Sequence, residues 1–331
     1  MNKKLHTFVN SITLATKNTK FIDGSSKQQL LYSTSASSIP SYNYGLSGHA
    51  KYKRSLGNNL PSVKGEVLFG LHPVLLALKS QKREKIHGIF IEDKFQNEGS
   101  QHKVKSEILE VASLCKVPVF IVKADVLQQL SGSRPHQGVC LDVSFLKITE
   151  WSDQQSLPRT SSLPFWLLLH NIQDPMNFGA ILRTAYYLGL DNIVFPSVNS
   201  CKLSPVVSKA SAGAMEVSSL INIPVTSSET LFCKWWHHQG GQVVGTGTGP
   251  NTKTVDINSF HMTEPTLLIL GNEGSGMGTQ LENICDIVVS IPGSNTSVDS
   301  LNVSVAAGIL MHWIKSSRNN RQNFSAQETE V

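Results

Sequence analysis

Three short segments of the chain set polar side chains where an apolar run ends. The first is His170-Asn171-Ile172-Gln173-Asp174-Pro175-Met176-Asn177-Phe178-Gly179, with Arg183 just beyond it. Asn177 and Arg183 share one loop–helix unit, so an amide and a guanidinium are offered to a single phosphate or ribose. The second is Leu270-Gly271-Asn272-Glu273-Gly274-Ser275-Gly276, in which glycines let backbone amides approach a ligand and Glu273 adds an acceptor. No Gly-Lys-Ser/Thr follows and no dinucleotide fingerprint is present, so nucleotide-triphosphate and NAD chemistry are disfavoured. The third runs from Ile291-Pro292 to Ser300-Leu301-Asn302-Val303-Ser304. There Ser300 reads as an N-cap, and Val303, Ala306, Ala307 and Leu310 follow the helical period. So apolar a helix is expected to be buried, which places Ser300, Asn302 and Ser304 at a buried polar entrance. Each unpaired group there costs about 1–3 kcal/mol.

Singly, each segment has a plain structural reading: a cap, a solvated arginine, a glycine turn. Together they gain weight because each follows a strand. The strands of the second half are expected at residues 165–169, 192–195, 242–244, 266–270 and 286–291, with helices at 179–188, 205–216, 229–238, 277–284 and 302–315. That alternation predicts a doubly wound parallel sheet, whose ligands sit at the carboxyl ends of the strands. Gly245-Thr246-Gly247-Thr248-Gly249 also follows a strand but has no helix after it, and reads as a turn near the site. Residues 65–143 alternate shorter strands and helices and predict a small α/β domain. It carries a basic cluster (Lys79, Lys82, Arg83, Lys85) and a polar loop, Arg134-Pro135-His136-Gln137-Gly138. The cluster is either a solvated face or a phosphate contact.

The 331 residues suit two domains, and the formal net charge of +5 is compatible with a polyanionic partner. Five scattered cysteines show no paired Cys/His spacing, so neither a metal site nor a disulfide framework is indicated. No apolar run reaches the ~20 residues of a membrane span. Residues 1–64 carry a single acid, Asp23, among lysines and hydroxyl residues, the composition of an organelle transit peptide, with mitochondrial import favoured over an ordinary disordered tail.

The Asn-x-x-Asp-Pro-x-Asn-x-Gly-x-x-x-Arg-x-Ala segment, the Gly-x-Glu-Gly-x-Gly turn and the Ile-Pro…Ser-Leu-Asn-Val-Ser-Val-Ala run resemble, in order and spacing, the three motifs of the SpoU/TrmH family. The loop from Pro292 to Ser300 is slightly longer than the family's and lacks its usual Met. Leu68-Phe69-Gly70-Leu71-His72-Pro73 and His136-Gln137-Gly138-Val139 resemble the family's RNA substrate-binding domain. The resemblance implies an S-adenosyl-L-methionine-dependent RNA 2′-O-ribose methyltransferase, α/β in class. A parallel sheet of SPOUT type with a deep trefoil knot is preceded by a small substrate-binding domain. It implies cofactor held by Gly271, Ile291 and Leu301, catalysis involving Arg183, Asn177, Glu273, Ser300 and Asn302, and a homodimer. The expected layout is a leader at 1–60, RNA-binding domain at 65–145, linker at 146–164, methyltransferase domain at 165–315 and a disordered tail at 316–331. With the leader, the expected substrate is a guanosine of mitochondrial large-subunit rRNA, met in the matrix. A catalytically weak RNA-binding assembly factor of the same fold is the alternative.

Overall fold

The computed structural model describes residues 53–54, 61–95, 101–157, 163–247, 253–272, 274, 276–294, 297 and 300–327. Apart from residues 53–54, the expected leader lies outside them. Two sheets organise the chain. The first contains β1 (Lys53–Arg54), β2 (Glu66–Phe69), β3 (Ile86–Glu92), β4 (Val119–Val122) and β5 (Val139–Val143), in the order β1-β4-β3-β5-β2. β5 runs antiparallel to both β2 and β3, while β4 is parallel to β3. Helices α1 (Leu71–Ser80) and α2 (His102–Leu114) share one core with this sheet, built on Leu68, Leu78, Ile89 and Ile108. Helix α3 (Ala124–Leu130) joins a smaller core through Val126 and Leu127.

The second sheet is wholly parallel and larger. It contains β6 (Thr149–Glu150), β7 (Phe165–Leu169), β8 (Asn192–Pro196), β9 (Leu220–Ile223), β10 (Gln242–Thr246), β11 (Thr254–Asp256), β12 (Thr266–Leu270) and β13 (Ile287–Ser290), ordered β11-β13-β10-β12-β7-β8-β9-β6. The central strands β7 and β12 are buried at every residue, which is why they read as unbroken apolar runs. Helices cover both faces. On one lie α4 (Pro175–Leu188), α5 (Pro205–Ala210), α6 (Ala214–Val217) and α9 (Val303–Gln327), with Ile181, Val207, Met215 and Leu310 in a common core. On the other lie α7 (Glu229–His238) and α8 (Gly278–Ile284), around Trp166, Phe232, Trp235 and Trp236.

Several elements depart from the sequence pattern. Strands β6, β9 and β11 are short and partly polar, too weak to show in a periodicity. The single helix expected over 205–216 is two, because Ala212 and Gly213 adopt φ of 50° and 85°. A Cβ on Gly213 would lie 2.9 Å from the His72 carbonyl oxygen, so this break makes room for α1. The expected linker is partly built in: β6 pairs with β9, and Trp151, 6% exposed, packs edge-on against Phe232. Helix α9 continues to Gln327, through residues where a disordered tail is expected.

Three of the four residues in the basic cluster are tied into the fold, while Lys85 is exposed. Arg83 is 4% exposed and reaches Glu216, itself 0% exposed, through Nε and Nη2 at 2.8 Å each. Its Nη1 bonds Glu66 and the Ser144 carbonyl. Ser208 Oγ also donates to Glu216, and Lys82 Nζ donates to the carbonyls of Val217 and Ser218. Burial raises the pKa of Glu66 against the pull of Arg83. Burial also opposes the charge on Arg83, yet the bonds and charge of Glu216 and Glu66 hold it protonated. Lys79 pairs with Glu107 on α2. The polar loop at 134–138 has the same use, since Gln137 Oε1 accepts from the Leu71 amide and from Lys209 Nζ on α5.

Candidate active site

Helix α4 starts where Asp174, in extended conformation, caps it by accepting from the amides of Met176 and Asn177 at 3.2 and 3.3 Å. Pro175 is therefore the first helical residue, as its fixed φ and missing N–H suit that position. Gly179 serves packing: a Cβ there would fall 2.5 Å from that of Ala210, so α4 and α5 touch along it. At the far end Lys315 of α9 donates to the Gly189 carbonyl at 2.7 Å.

The three polar segments are stitched together by side-chain amides. Asn302 Nδ2 donates to Asn177 Oδ1 at 3.1 Å across 125 residues of sequence. Asn272 Nδ2 donates to the Asn171 carbonyl at 3.0 Å, and the His170 amide donates to the Leu270 carbonyl at 2.9 Å. The Gly-rich turn closes on itself through paired Asn272–Gly276 backbone bonds of 3.0 Å each, with the Gly274 amide on Asn272 Oδ1. Asn171 and Asn272 were not among the expected site residues. The available signal was an asparagine two positions past a strand end, since Asn171 takes a left-handed φ of 56° that asparagine tolerates best among the non-glycine residues.

Not every expected residue converges. Asn302, rather than Ser300, caps α9: its Oδ1 accepts from the Ser304 amide at 3.0 Å and from Ser304 Oγ. Ser300, Leu301 and Asn302 are all exposed, so the entrance is an open rim and not a buried one. Only Val303 and the residues facing α4 are buried. Arg183 is exposed and makes no hydrogen bond or ion pair among the described residues. Six positions along α4 from Asn177, it stands about 9 Å up the axis and about 120° round it. Within one chain the two side chains do not meet. Glu273 lies outside the described residues. Gly271 and Ile291 are half-buried at the ends of β12 and β13.

The backbone groups of Gly271 and Leu301 make no hydrogen bond among the described residues, which leaves donors and acceptors for a ligand's polar edge. A Cβ on Gly276 or Gly293 would meet nothing within 4 Å, so each backbone is open on that side. This rim fits a cofactor gripped by main chain. No cluster of His, Cys, Asp or Glu able to hold a metal ion occurs among the described residues. A second surface adjoins the rim. Leu301, Val305, Ile309 and Trp313 recur every four positions on α9 and its approach, 36–50% exposed, and Met176 of α4 is 59% exposed.

This fold and this rim define a class. A model of the SpoU rRNA methylase family matches residues 164–312, and one described as RNA 2′-O ribose methyltransferase substrate binding matches residues 67–149. The chain belongs to the SpoU rRNA methylase family. Among its relatives, the human protein named rRNA methyltransferase 1, mitochondrial, is 38% identical over 279 residues, covering 80% of this chain and 76% of its own. A protein of the same name from Schizosaccharomyces pombe is 34% identical, covering 80% and 94%. The fold also matches a crystal structure of an AdoMet-bound rRNA methyltransferase from Sinorhizobium meliloti, with a TM-score of 0.60 at 21% identity over 77% of this chain and 87% of that one.

Proposed function

We propose that this protein is an S-adenosylmethionine-dependent 2′-O-ribose methyltransferase acting on a guanosine of mitochondrial large-subunit rRNA in the matrix. The observation that carries the reading is the amide-stitched rim, where three segments far apart in sequence present Asn177, Asn302 and free backbone groups at the carboxyl ends of a parallel sheet. A pure RNA binder has no need of that assembly. The names of the relatives from human and Schizosaccharomyces pombe support the rRNA substrate and the compartment. Residues 65–145 would bind RNA, and 165–315 would carry the reaction.

When bound, S-adenosylmethionine supplies an electrophilic methyl group; Gly271, Ile291 and Leu301 would hold it through main chain, within a knotted C-terminal fold. The attacking ribose hydroxyl is a poor nucleophile that must shed its proton as it reacts. Arginine stays charged across the accessible pH range, so Arg183 acts by stabilising the developing oxyanion and holding the neighbouring phosphate. Asn177 and Asn302 fix the rim against which the ribose is placed, with Glu273 and Ser300 as further polar contacts. Arg183 and Asn177 diverge on one helix, so a complete site draws on two copies of the chain. The exposed Leu301–Trp313 stripe offers the surface for such a homodimer.

The test is Arg183→Ala assayed for tritium transfer from labelled cofactor to rRNA. Methyl transfer is expected to fall by roughly 10²–10³, as when one oxyanion donor is removed, with cofactor affinity retained. Full transfer in the variant would overturn the assignment.

A further inference from the structure

A cavity of about 380 Å³ opens at the carboxyl ends of β7, β8 and β9, next to the rim and outside the groups assigned to cofactor and ribose. That volume is in the range of small-ligand sites. Pro196, Ile223 and Pro224 give it apolar walls, while Asn171, Ser227 and Glu229 line its polar side. His170 Nδ1 lies 2.8 Å from Glu229 Oε1, and the two side chains are only 23% and 18% exposed. In the Nδ1–H tautomer the ring donates to that oxygen and holds the carboxylate in place. The second oxygen, Oε2, makes no hydrogen bond among the described residues. Asn171 belongs to both places: it lines the cavity, and its carbonyl accepts from Asn272 of the Gly-rich turn at 3.0 Å.

A carboxylate held by one oxygen and open at the other, between apolar walls, repels phosphate and accepts from adjacent N–H groups. Guanine is the one RNA base whose edge presents a ring N–H directly beside an amino group. Adenine and cytosine set a ring acceptor next to their amino group, and uracil sets its N–H between two carbonyls. We infer that this cavity receives a guanine base of the substrate RNA, with Glu229 accepting from its N1–H and N2–H groups. The inference rests on the methyltransferase reading and names a specificity-determining residue for it.

The full-length protein is compared with Glu229→Gln and with Val198→Trp, which caps the mouth from a rim position that is 55% exposed. Guanosine, inosine and adenosine are the probes, read by saturation-transfer NMR. The KM for an rRNA fragment and the affinity for S-adenosylmethionine are measured in parallel. Guanosine is expected to bind, with inosine and adenosine weaker by roughly five- to a hundredfold, the range of a lost bidentate base contact. Both variants should lose guanosine and raise KM at unchanged cofactor affinity. Adenosine binding as well as guanosine, or both variants keeping guanosine, would overturn the assignment. A wild type that methylates rRNA yet ignores guanosine sinks the pocket and leaves the enzyme standing. One that binds guanosine but transfers no methyl does the reverse.

Discussion

Asn302 illustrates how much one side chain does at the rim. Its oxygen closes the first turn of α9 while its nitrogen reaches Asn177 on α4, so cap and cross-link are one group. Asn302→Asp keeps the acceptor for the cap but loses the donor, and sets a negative charge beside Asn177 Oδ1. Methyl transfer should fall while the far-ultraviolet helix signal persists, a split that Asn302→Ala, lacking both, should not show. The thiols make a different residue-scale prediction. Burial pushes Cys140 and Cys285 up to about 12 and Cys201 up to about 11, from an ordinary 9.0. An unfolded chain releases those protons near pH 9, whereas the folded one does not, so the unfolded state is favoured as pH rises between about 9 and 12. Stability is therefore full below pH 9 and erodes above it. Urea midpoints measured from pH 7 to 11 should decline for the wild type and decline less for Cys140→Ala.

At the scale of elements, close approach explains what a motif letter alone does not. Gly179 sits two positions after Asn177 in the first polar segment, and a Cβ there would run into Ala210 and Ser211. Gly179→Ala would overpack α4 against α5 at a cost of about 1–3 kcal/mol, visible as a lower thermal midpoint. The α9 stripe yields a second prediction. Ile309→Asp should convert a dimer to a monomer in sedimentation velocity and abolish transfer; a variant that remains dimeric would argue for another interface. The buried strands β7 and β12 and helix α7 were legible because long apolar runs and a capped amphipathic pattern are local signals. Strand β9, the Asn302 cap and the His170–Glu229 pair were not, because each depends on partners far away in sequence. The basic cluster stayed open between a solvated face and a phosphate contact for the same reason: no local pattern tells an arginine facing solvent from one facing Glu216.

At the scale of the whole molecule, Arg83 joins the two sheets. Removing one partner of a buried ion pair leaves the other charge stranded, so Arg83→Met should cost about 3–5 kcal/mol. Replacing Glu216 by Met as well should restore much of that loss in urea melts, because no unpaired carboxylate remains at that position.

The order of the parallel sheet has a kinetic consequence. Phe165 pairs with Thr266 at its centre, and no tight turn joins any two neighbours within it. About a hundred residues of chain separate the two strands of that central ladder, whereas β7 meets β8 and β10 meets β12 through much shorter loops, so the central join carries the largest closure entropy in the sheet. Refolding should accordingly be slow and pass through a collapsed species, as larger chains of non-local topology do. Trp166 and Trp236, whose ring centroids lie 5.1 Å apart across the core, provide the reporter. Stopped-flow fluorescence should show their burial lagging behind the helical signal by a separate, slower phase.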